Sequence, residues 1–213
     1  MKYPVKTLRE QVYVLIKSKI INGEIKPGEK IKEFELAETL GISRGPIREA
    51  LRQIEQDGLV SYIPNRGCVV TQLTRKEMVE MGMIRADLEV LAVEVCEGKY
   101  SEESISKMEY YVSEMEKYAN AKELEKLIEQ DQLFHEAIVS EPGLCHLLKL
   151  WHTLDGTNVA IYFCMNSTDQ LSWQCIAKNH KCIIDKIKTG DLSLIEDEIK
   201  RHYMGSTSFR DNL

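Results

Sequence analysis

The sequence predicts a mainly α-helical protein in two parts: a small N-terminal domain with helices and a β-hairpin, and a C-terminal antiparallel bundle of about six helices. Apolar residues recur at helical spacing along most of the chain, and one pair of short β-type runs interrupts them near residue 65. A chain of 213 residues is long enough for two modest domains, which we place at residues 1–72 and 73–213.

The composition is typical of a globular protein, with 43% hydrophobic and 29% charged residues. No apolar run is long enough to span a bilayer, and the start MKYPVKTLRE has no apolar signal core. We therefore expect a cytoplasmic protein without a membrane partner. The six cysteines form no Cys-x-x-Cys pair, so we expect them to be reduced and mostly in the core.

Charge is distributed unevenly between the two parts. Residues 1–72 contain 12 Lys and Arg against 9 Asp and Glu, a net charge of +3. Residues 73–213 contain 16 against 25, a net charge of −9. This asymmetry favours a polyanion-binding N-terminal domain and a C-terminal domain with another role.

The N-terminal domain has the spacing of a helix-turn-helix. Apolar positions from Leu8 to Ile20 predict a first helix, which stops at Asn22-Gly23. After a Pro-Gly turn, a short second helix ends at Gly41, and Ser43 caps the third. In the second helix we expect apolar residues to face inward and acidic residues outward: Leu36, Ala37 and Leu40 against Glu33, Glu35 and Glu38.

The third helix separates an apolar stripe, which includes Ile47 and Leu51, from a basic face with Arg44, Arg48 and Arg52. A guanidinium suits phosphate oxygens and the O6/N7 edge of guanine, and the N-terminal end of a recognition helix reaches base edges. One such face alone is more often solvated surface. Here the basic face lies on the second helix of a helix-turn-helix, which favours a role in DNA binding.

Two short β-type runs, 59–63 and 68–71, flank the turn Pro64-Asn65-Arg66-Gly67 and predict a wing. Arg66 at its tip could enter the minor groove, and Gly67 permits close approach to a sugar-phosphate wall. With the basic helix face, the wing predicts binding to double-stranded DNA.

This N-terminal domain resembles the winged helix-turn-helix of GntR-type bacterial transcription regulators. The resemblance is carried by GEIKPGEKI, LAETLGISRGPIREALRQIEQDGLV and IPNRGCVV. It implies that DNA is contacted by residues of the third helix and the wing: Ser43, Arg44, Gly45, Arg48, Arg66 and Gly67.

Beyond residue 73, turn residues separate six predicted helical segments, 75–97, 101–119, 121–140, 143–165, 169–189 and 191–208. Three of them place polar side chains in an apolar stripe: Asp131 and His135 one turn apart, then His180, then His202. If the last two segments fold back at Gly190, both imidazoles lie roughly 15–18 Å from the turn and face each other. One Asp and three His at one depth predict a divalent metal site for Zn, Ni, Fe or Mn. The alternative is separate core histidines, each hydrogen-bonded to a neighbour.

The bundle resembles the all-helical effector domain, often called FCD, of the FadR subfamily of GntR regulators. IRADLEVLAVE, DQLFHEAI, NHKCIIDKIKTGDL and RHY carry the resemblance. It implies metal ligation by Asp131, His135, His180 and His202, and a small organic acid effector beside the metal. Arg85 matches an arginine that often lines the pocket. The stretch WHTLDGTNVAIYF lacks an arginine found in many relatives, which leaves two alternatives: the effector is less acidic, or Thr157 and Asn158 supply its polar contacts.

These features predict a ligand-responsive DNA-binding transcription regulator, a repressor or an activator, which binds a near-palindromic operator as a homodimer because one helix-turn-helix contacts only a half-site. Two alternatives stay open. The metal could support hydrolysis, as in a metal-dependent hydrolase, although no further base is evident. It could also be purely structural, with constitutive DNA binding.

Overall fold

The structure, a computed structural model, describes residues 7–167 and 171–204. These residues divide into two compact units, which are described separately. The first unit is built from Met1–Leu73 and Gly156–Gln170, and the second from Thr74–Asp155 and Leu171–Leu213.

Three helices form the core of the first unit: α1 (Leu8–Ile21), α2 (Glu33–Leu40) and α3 (Arg44–Gln56). Thr7 and Glu10 form a capping box at the start of α1, which satisfies the free N–H groups there. Gly41, with φ of 65°, ends α2 in the left-handed conformation that favours glycine. The predicted apolar stripe of α3 is fully buried: Ile47, Ala50, Leu51 and Ile54.

A two-stranded antiparallel hairpin, β1 (Val60–Ile63) and β2 (Gly67–Val70), follows α3. Val60 pairs with Val70 and Ile63 with Gly67, so the tip lies at residues 64–66. Asn65 and Gly67 have φ of 63° and 82°, which the tight turn requires. The predicted helix-turn-helix with a small β-hairpin is confirmed.

The second unit is helical throughout its described part. Its helices are α4 (Arg75–Val95), α5 (Glu102–Ala121), α6 (Leu124–Ser140), α7 (Cys145–His152), α9 (Ile176–Ile187) and α10 (Leu192–Met204). Helix α5 packs on α6 and α9, while α4 packs on α10 and α6. Helices α9 and α10 form a hairpin that turns at Gly190, with φ of 67°. The predicted helical bundle is therefore confirmed.

One predicted helix, 143–165, is divided into α7 and α8 (Asp155–Ser167). The chain turns after Trp151, whose carbonyl accepts a hydrogen bond from the Leu154 N–H. From Gly156 onward, helix α8 belongs to the first unit, where the backbone at Gly156 lies close to the backbone of Asp57 and Gly58. The predicted division differs here, because it assigns this segment to the second domain, residues 73–213.

The other predicted boundaries differ by a few residues. The segment predicted at 169–189 contains a 3-10 turn, Trp173–Cys175, before α9, and its first residues lie outside the described part, as do the last residues of the segment predicted at 191–208. All six cysteines are free, but only Cys68 and Cys164 are buried, so the expectation of mostly core cysteines is wrong. Across the described residues, no helix is both long enough and apolar enough to cross a membrane.

Candidate functional site

The predicted DNA-binding arginines Arg44, Arg48 and Arg52 are all exposed, on a face of α3 that adjoins its buried stripe. Side-chain exposure is 52% for Arg44 and 54% for Arg48. The helix thus presents three guanidinium groups to solvent from a rigid support. Such a surface can bind phosphate and base edges.

Glu33, at the start of α2, does not face outward as expected. Its side chain is only 17% exposed, and Oε2 accepts hydrogen bonds from Arg48 Nε at 2.6 Å and Arg44 Nη2 at 3.2 Å. Burial works to raise the pKa of Glu33, but these hydrogen bonds outweigh it and lower the pKa below its ordinary value. The carboxylate is therefore charged, and it holds two arginines of the basic face.

The other predicted DNA contacts are also at the surface. Ser43 occupies the N-cap position of α3, but its hydroxyl makes no capping hydrogen bond, contrary to the predicted cap. A side chain at Gly45 would meet only Ser43 Oγ, 4.0 Å away, so this backbone is open to a partner. Arg66 and Gly67 are exposed at the wing tip.

The four predicted metal ligands come together inside the second unit. Asp131 and His135 lie on α6, His180 on α9 and His202 on α10. Nε2 of His180 lies 2.9 Å from Oδ1 of Asp131 and 3.2 Å from Nε2 of His135. One ligand atom from each of the three histidines lies within 4.8 Å of the others.

A hydrogen bond on the far side of the His180 ring sets the orientation of that ring. Nδ1 of His180 lies 2.8 Å from the carbonyl oxygen of Ile176, to which only a protonated Nδ1 can donate. Its Nε2 then carries a lone pair, which is the tautomer that binds metals. Nδ1 of His135 lies 2.8 Å from Oε1 of Glu89, although it is out of line for a hydrogen bond.

These residues fit a divalent metal ion. Two nitrogens bound to one ion at about 2.0–2.1 Å are separated by roughly 3–3.5 Å, the separation of the two Nε2 atoms. Burial lowers the pKa of His135 and of His202 well below the ordinary value, so both imidazoles are neutral, as a metal ligand must be. The ring of Phe134 packs nearly perpendicular to the rings of His135 and His180, with ring centroids 5.2 and 4.9 Å away.

A second buried polar group adjoins the histidines. Arg85 on α4 is 1% exposed, and its guanidinium carbon lies 3.8 Å from the centroid of the Trp151 ring. Nε of Arg85 donates to Tyr203 Oη at 3.3 Å, and Tyr203 donates to Glu89 at 2.5 Å. Burial works to lower the pKa of Arg85, but Tyr203 and Glu89 outweigh it, so the guanidinium remains charged.

The terminal nitrogens of this guanidinium, Nη1 and Nη2, are buried and have no hydrogen-bond partner among the described residues. A buried donor without a partner costs about 1–3 kcal/mol, and more for a charged group. The fork of Arg85 is therefore available to a planar anion such as a carboxylate.

Sequence reasoning missed Glu89, Trp151 and Tyr203. Glu89 is fully buried, and burial raises its pKa to about 8, against the lowering effect of Tyr203. It follows Arg85 by one helical turn inside an apolar stretch of α4, the same signal that identified Asp131. Tyr203 follows His202 directly, and nothing in the local pattern distinguishes it.

The two remaining predicted effector contacts lie on α8, where Asn158 is buried and Thr157 is partly buried. Their role remains a prediction. His146 and His152, which were not predicted as ligands, are exposed, and His152 pairs with Asp155 at 2.9 Å.

Comparison with known proteins follows the same two-part division. Residues 8–70 match the family described as "Bacterial regulatory proteins, gntR family", and residues 80–205 match the FCD domain. The chain is 36% identical over 91% of its length to an uncharacterised HTH-type transcriptional regulator, YdhC, of Bacillus subtilis, covering 86% of that protein. It is 29% identical, over 92% of its length and 85% of the relative, to a probable D-xylose utilization operon transcriptional repressor of Paenarthrobacter nicotinovorans.

The fold is also that of Escherichia coli McbR/YncC, with a TM-score of 0.60, 20% identity and coverage of 93% of this chain and 94% of that chain. The curated relatives named above are transcription regulators, and this protein is a regulator and not an enzyme. With an N-terminal match to the gntR description and an FCD match over more than half of its length, the chain belongs to the gntR family of bacterial regulatory proteins and carries an FCD domain.

Proposed function

We propose that this protein is a ligand-responsive transcription regulator, whose winged helix-turn-helix binds operator DNA and whose helical unit binds a divalent metal ion and a small organic acid. One observation carries the proposal. Asp131 and three histidines from three helices converge beside Arg85, a buried guanidinium with two nitrogens that have no partner in the described part of the chain.

The metal ion would be held by Asp131, His135, His180 and His202. Imidazole suits zinc, nickel or iron, and the carboxylate also admits manganese. Such an ion, when bound, would offer open coordination positions to a carboxylate. The chain itself supplies Arg85 to orient that carboxylate in two-point fashion, and Trp151 holds the guanidinium from one face. Thr157 and Asn158 would add polar contacts.

DNA binding would use Arg44, Arg48 and Arg52 on α3, with Ser43 and Gly45 at its start and Arg66 and Gly67 in the wing. One recognition helix reaches a single half-site, so a homodimer on a near-palindromic operator follows from geometry. Repression is favoured over activation by the relative from Paenarthrobacter nicotinovorans, named as a repressor. A transcription regulator of this kind acts on chromosomal DNA, so we propose that the protein is cytoplasmic.

Operator titration tests the coupling between the two sites. An effector must bind the two DNA-binding states with different affinity, and this difference appears as a shift in operator affinity. Metal-loaded protein should change its affinity for an operator duplex when the matching organic acid is added. An affinity unmoved by every acid in a carboxylate series would overturn the regulatory proposal.

The second candidate is a constitutive DNA-binding protein with a structural metal. Two observations favour this candidate: the histidine cluster is buried, and its side chains come from three helices that pack together. Chelation separates the two candidates. Loss of the fold on chelation supports a structural ion, whereas an intact fold with a lost effector response supports a regulatory one.

A further inference from the structure

In the winged helix-turn-helix, a single carboxylate on α2 contacts side chains of α3 and of the wing strand β1. Oε2 of Glu33, on α2, accepts hydrogen bonds from Arg48 and Arg44 of α3. Its Oε1 lies 3.5 Å from the hydroxyl of Tyr62 on β1. We propose that Glu33 is a positioning residue, which aims the arginines of α3 before DNA arrives and thereby sets base discrimination. This inference rests on the proposed DNA binding by these arginines.

The hydrogen bond from Arg48 to Glu33 leaves the two terminal nitrogens of Arg48 free to contact a base. Glu33 accepts from Nε at 2.6 Å, so the two terminal nitrogens of Arg48 remain available at a side chain that is 54% exposed. Those nitrogens are the pair that can bind O6 and N7 of guanine. A guanidinium already held at Nε loses less side-chain entropy when it binds a base. The free-energy cost of ordering it on the DNA is therefore smaller.

Glu33 is itself held in place. It is the first residue of α2, where the helix dipole favours a negative charge. Its side chain is largely covered, and the neighbouring Lys32 is bonded to Glu35 at 2.6 Å and does not compete for the carboxylate. The position of the carboxylate therefore follows from the packing of α2 against α3.

A negative charge within a DNA-binding surface works against affinity, because it repels phosphates. Removing Glu33 should consequently separate two quantities. Affinity for a scrambled duplex should stay the same or rise, while the preference for the best sequence over the scrambled one should fall. A residue with a purely structural role would lower both together.

The test compares Glu33→Ala and Glu33→Gln with Glu35→Gln, a matched control on the same helix whose carboxylate bonds to Lys32. Each full-length variant is titrated with a scrambled duplex and with the duplex that the wild type enriches most strongly from a random library. Circular dichroism and the melting temperature establish that each variant is folded. If Glu33→Ala does not fold, Glu33→Gln, which keeps the shape of the side chain, decides.

We expect the specificity ratio to fall about tenfold or more in Glu33→Ala, the scale of one well-aligned bidentate contact. Binding to the scrambled duplex should be unchanged or tighter, and Glu35→Gln should keep the wild-type ratio. Selection with Glu33→Ala should relax preference at one or two adjacent base pairs. A folded variant whose ratio stays within about twofold of wild type overturns this inference alone. A wild type that enriches no duplex overturns the proposed DNA binding and this inference with it.

Discussion

Nε2 of His135 and Nε2 of His180 lie 3.2 Å apart in the core of the helical unit. The Nδ1 of His180 is engaged by the carbonyl of Ile176, so the Nε2 of this ring is an acceptor. Burial lowers the pKa of His135 and of His202 well below the ordinary value, so these two rings are neutral. The lone pair on His180 Nε2 can accept a hydrogen bond from His135 or bind a cation, and Oδ1 of Asp131 lies 2.9 Å from the same nitrogen.

The first prediction concerns metal content. His180→Ala removes the ligand that lies closest to Asp131, so we expect purified protein to lose most of its bound divalent metal. Metal addition should then no longer raise the melting temperature, because binding to the native state is the source of that stabilisation. Elemental analysis and thermal melting, each with and without chelator, measure both effects.

His146→Ala is the matched control, since His146 is exposed on α7. It should keep the wild-type metal content and the same metal-dependent rise in melting temperature. Equal metal content in His180→Ala and His146→Ala would show that the cluster is not a metal site.

The second prediction concerns pH. Protons compete with a metal ion for an imidazole only near or below the pKa of that imidazole in the folded protein. An ordinary histidine has a pKa of about 6.5. Because burial lowers the pKa of His135 and His202 well below that value, these two ligands should take up no proton as the pH falls from 7.5 to 6.5, and metal affinity should decline steeply only at lower pH. Competition with a calibrated chelator across this range measures it. A steep decline that begins near pH 7 would contradict neutral, buried ligands.

Much of the cluster formed by Asp131 and the three histidines could be predicted because its signal is local. Asp131 and His135 interrupt an apolar stripe at a spacing of one turn, and Gly190 marks the hairpin that brings His180 near His202. The apolar stripe identifies the buried face of each helix. The rise per residue then gives the distance of each histidine from the turn at Gly190. Only the packing of α6 beside the α9–α10 hairpin had to be assumed.

Other features depend on distant partners and could not be predicted. Glu33 has the pattern of a solvated acidic residue, yet it turns toward Arg44 and Arg48, which lie on another helix. Tertiary contacts of this kind override local propensity. The break between α7 and α8, by contrast, lies directly before Asp155-Gly156, a dipeptide that marks turns and that the predicted helix 143–165 included.

The third prediction concerns effector binding. Arg85→Lys keeps the positive charge but replaces a planar fork by a single ammonium group. We expect affinity for a carboxylate effector to fall about tenfold or more, while metal content stays at the wild-type level because Arg85 is not a predicted ligand. Calorimetric titration of metal-loaded protein with the organic acid measures the change.

The control for this prediction is Arg75→Lys, at the exposed start of α4. It should leave effector affinity unchanged. If Arg85→Lys binds the acid as tightly as Arg75→Lys, the two unpartnered nitrogens of Arg85 have a role other than carboxylate recognition.

The fourth prediction concerns the close approach of α8 to the turn after α3. A methyl group at Gly156 would lie 2.7 Å from the carbonyl carbon of Asp57 and 2.8 Å from the amide nitrogen of Gly58. These are backbone atoms and cannot rotate aside. Gly156→Ala should therefore lower the free energy of unfolding by about 1–3 kcal/mol, as overpacking does elsewhere. Gly45→Ala is the control, because its methyl group would meet nothing closer than 4.0 Å. Urea denaturation measures both, and equal midpoints would mean that α8 does not press on this turn.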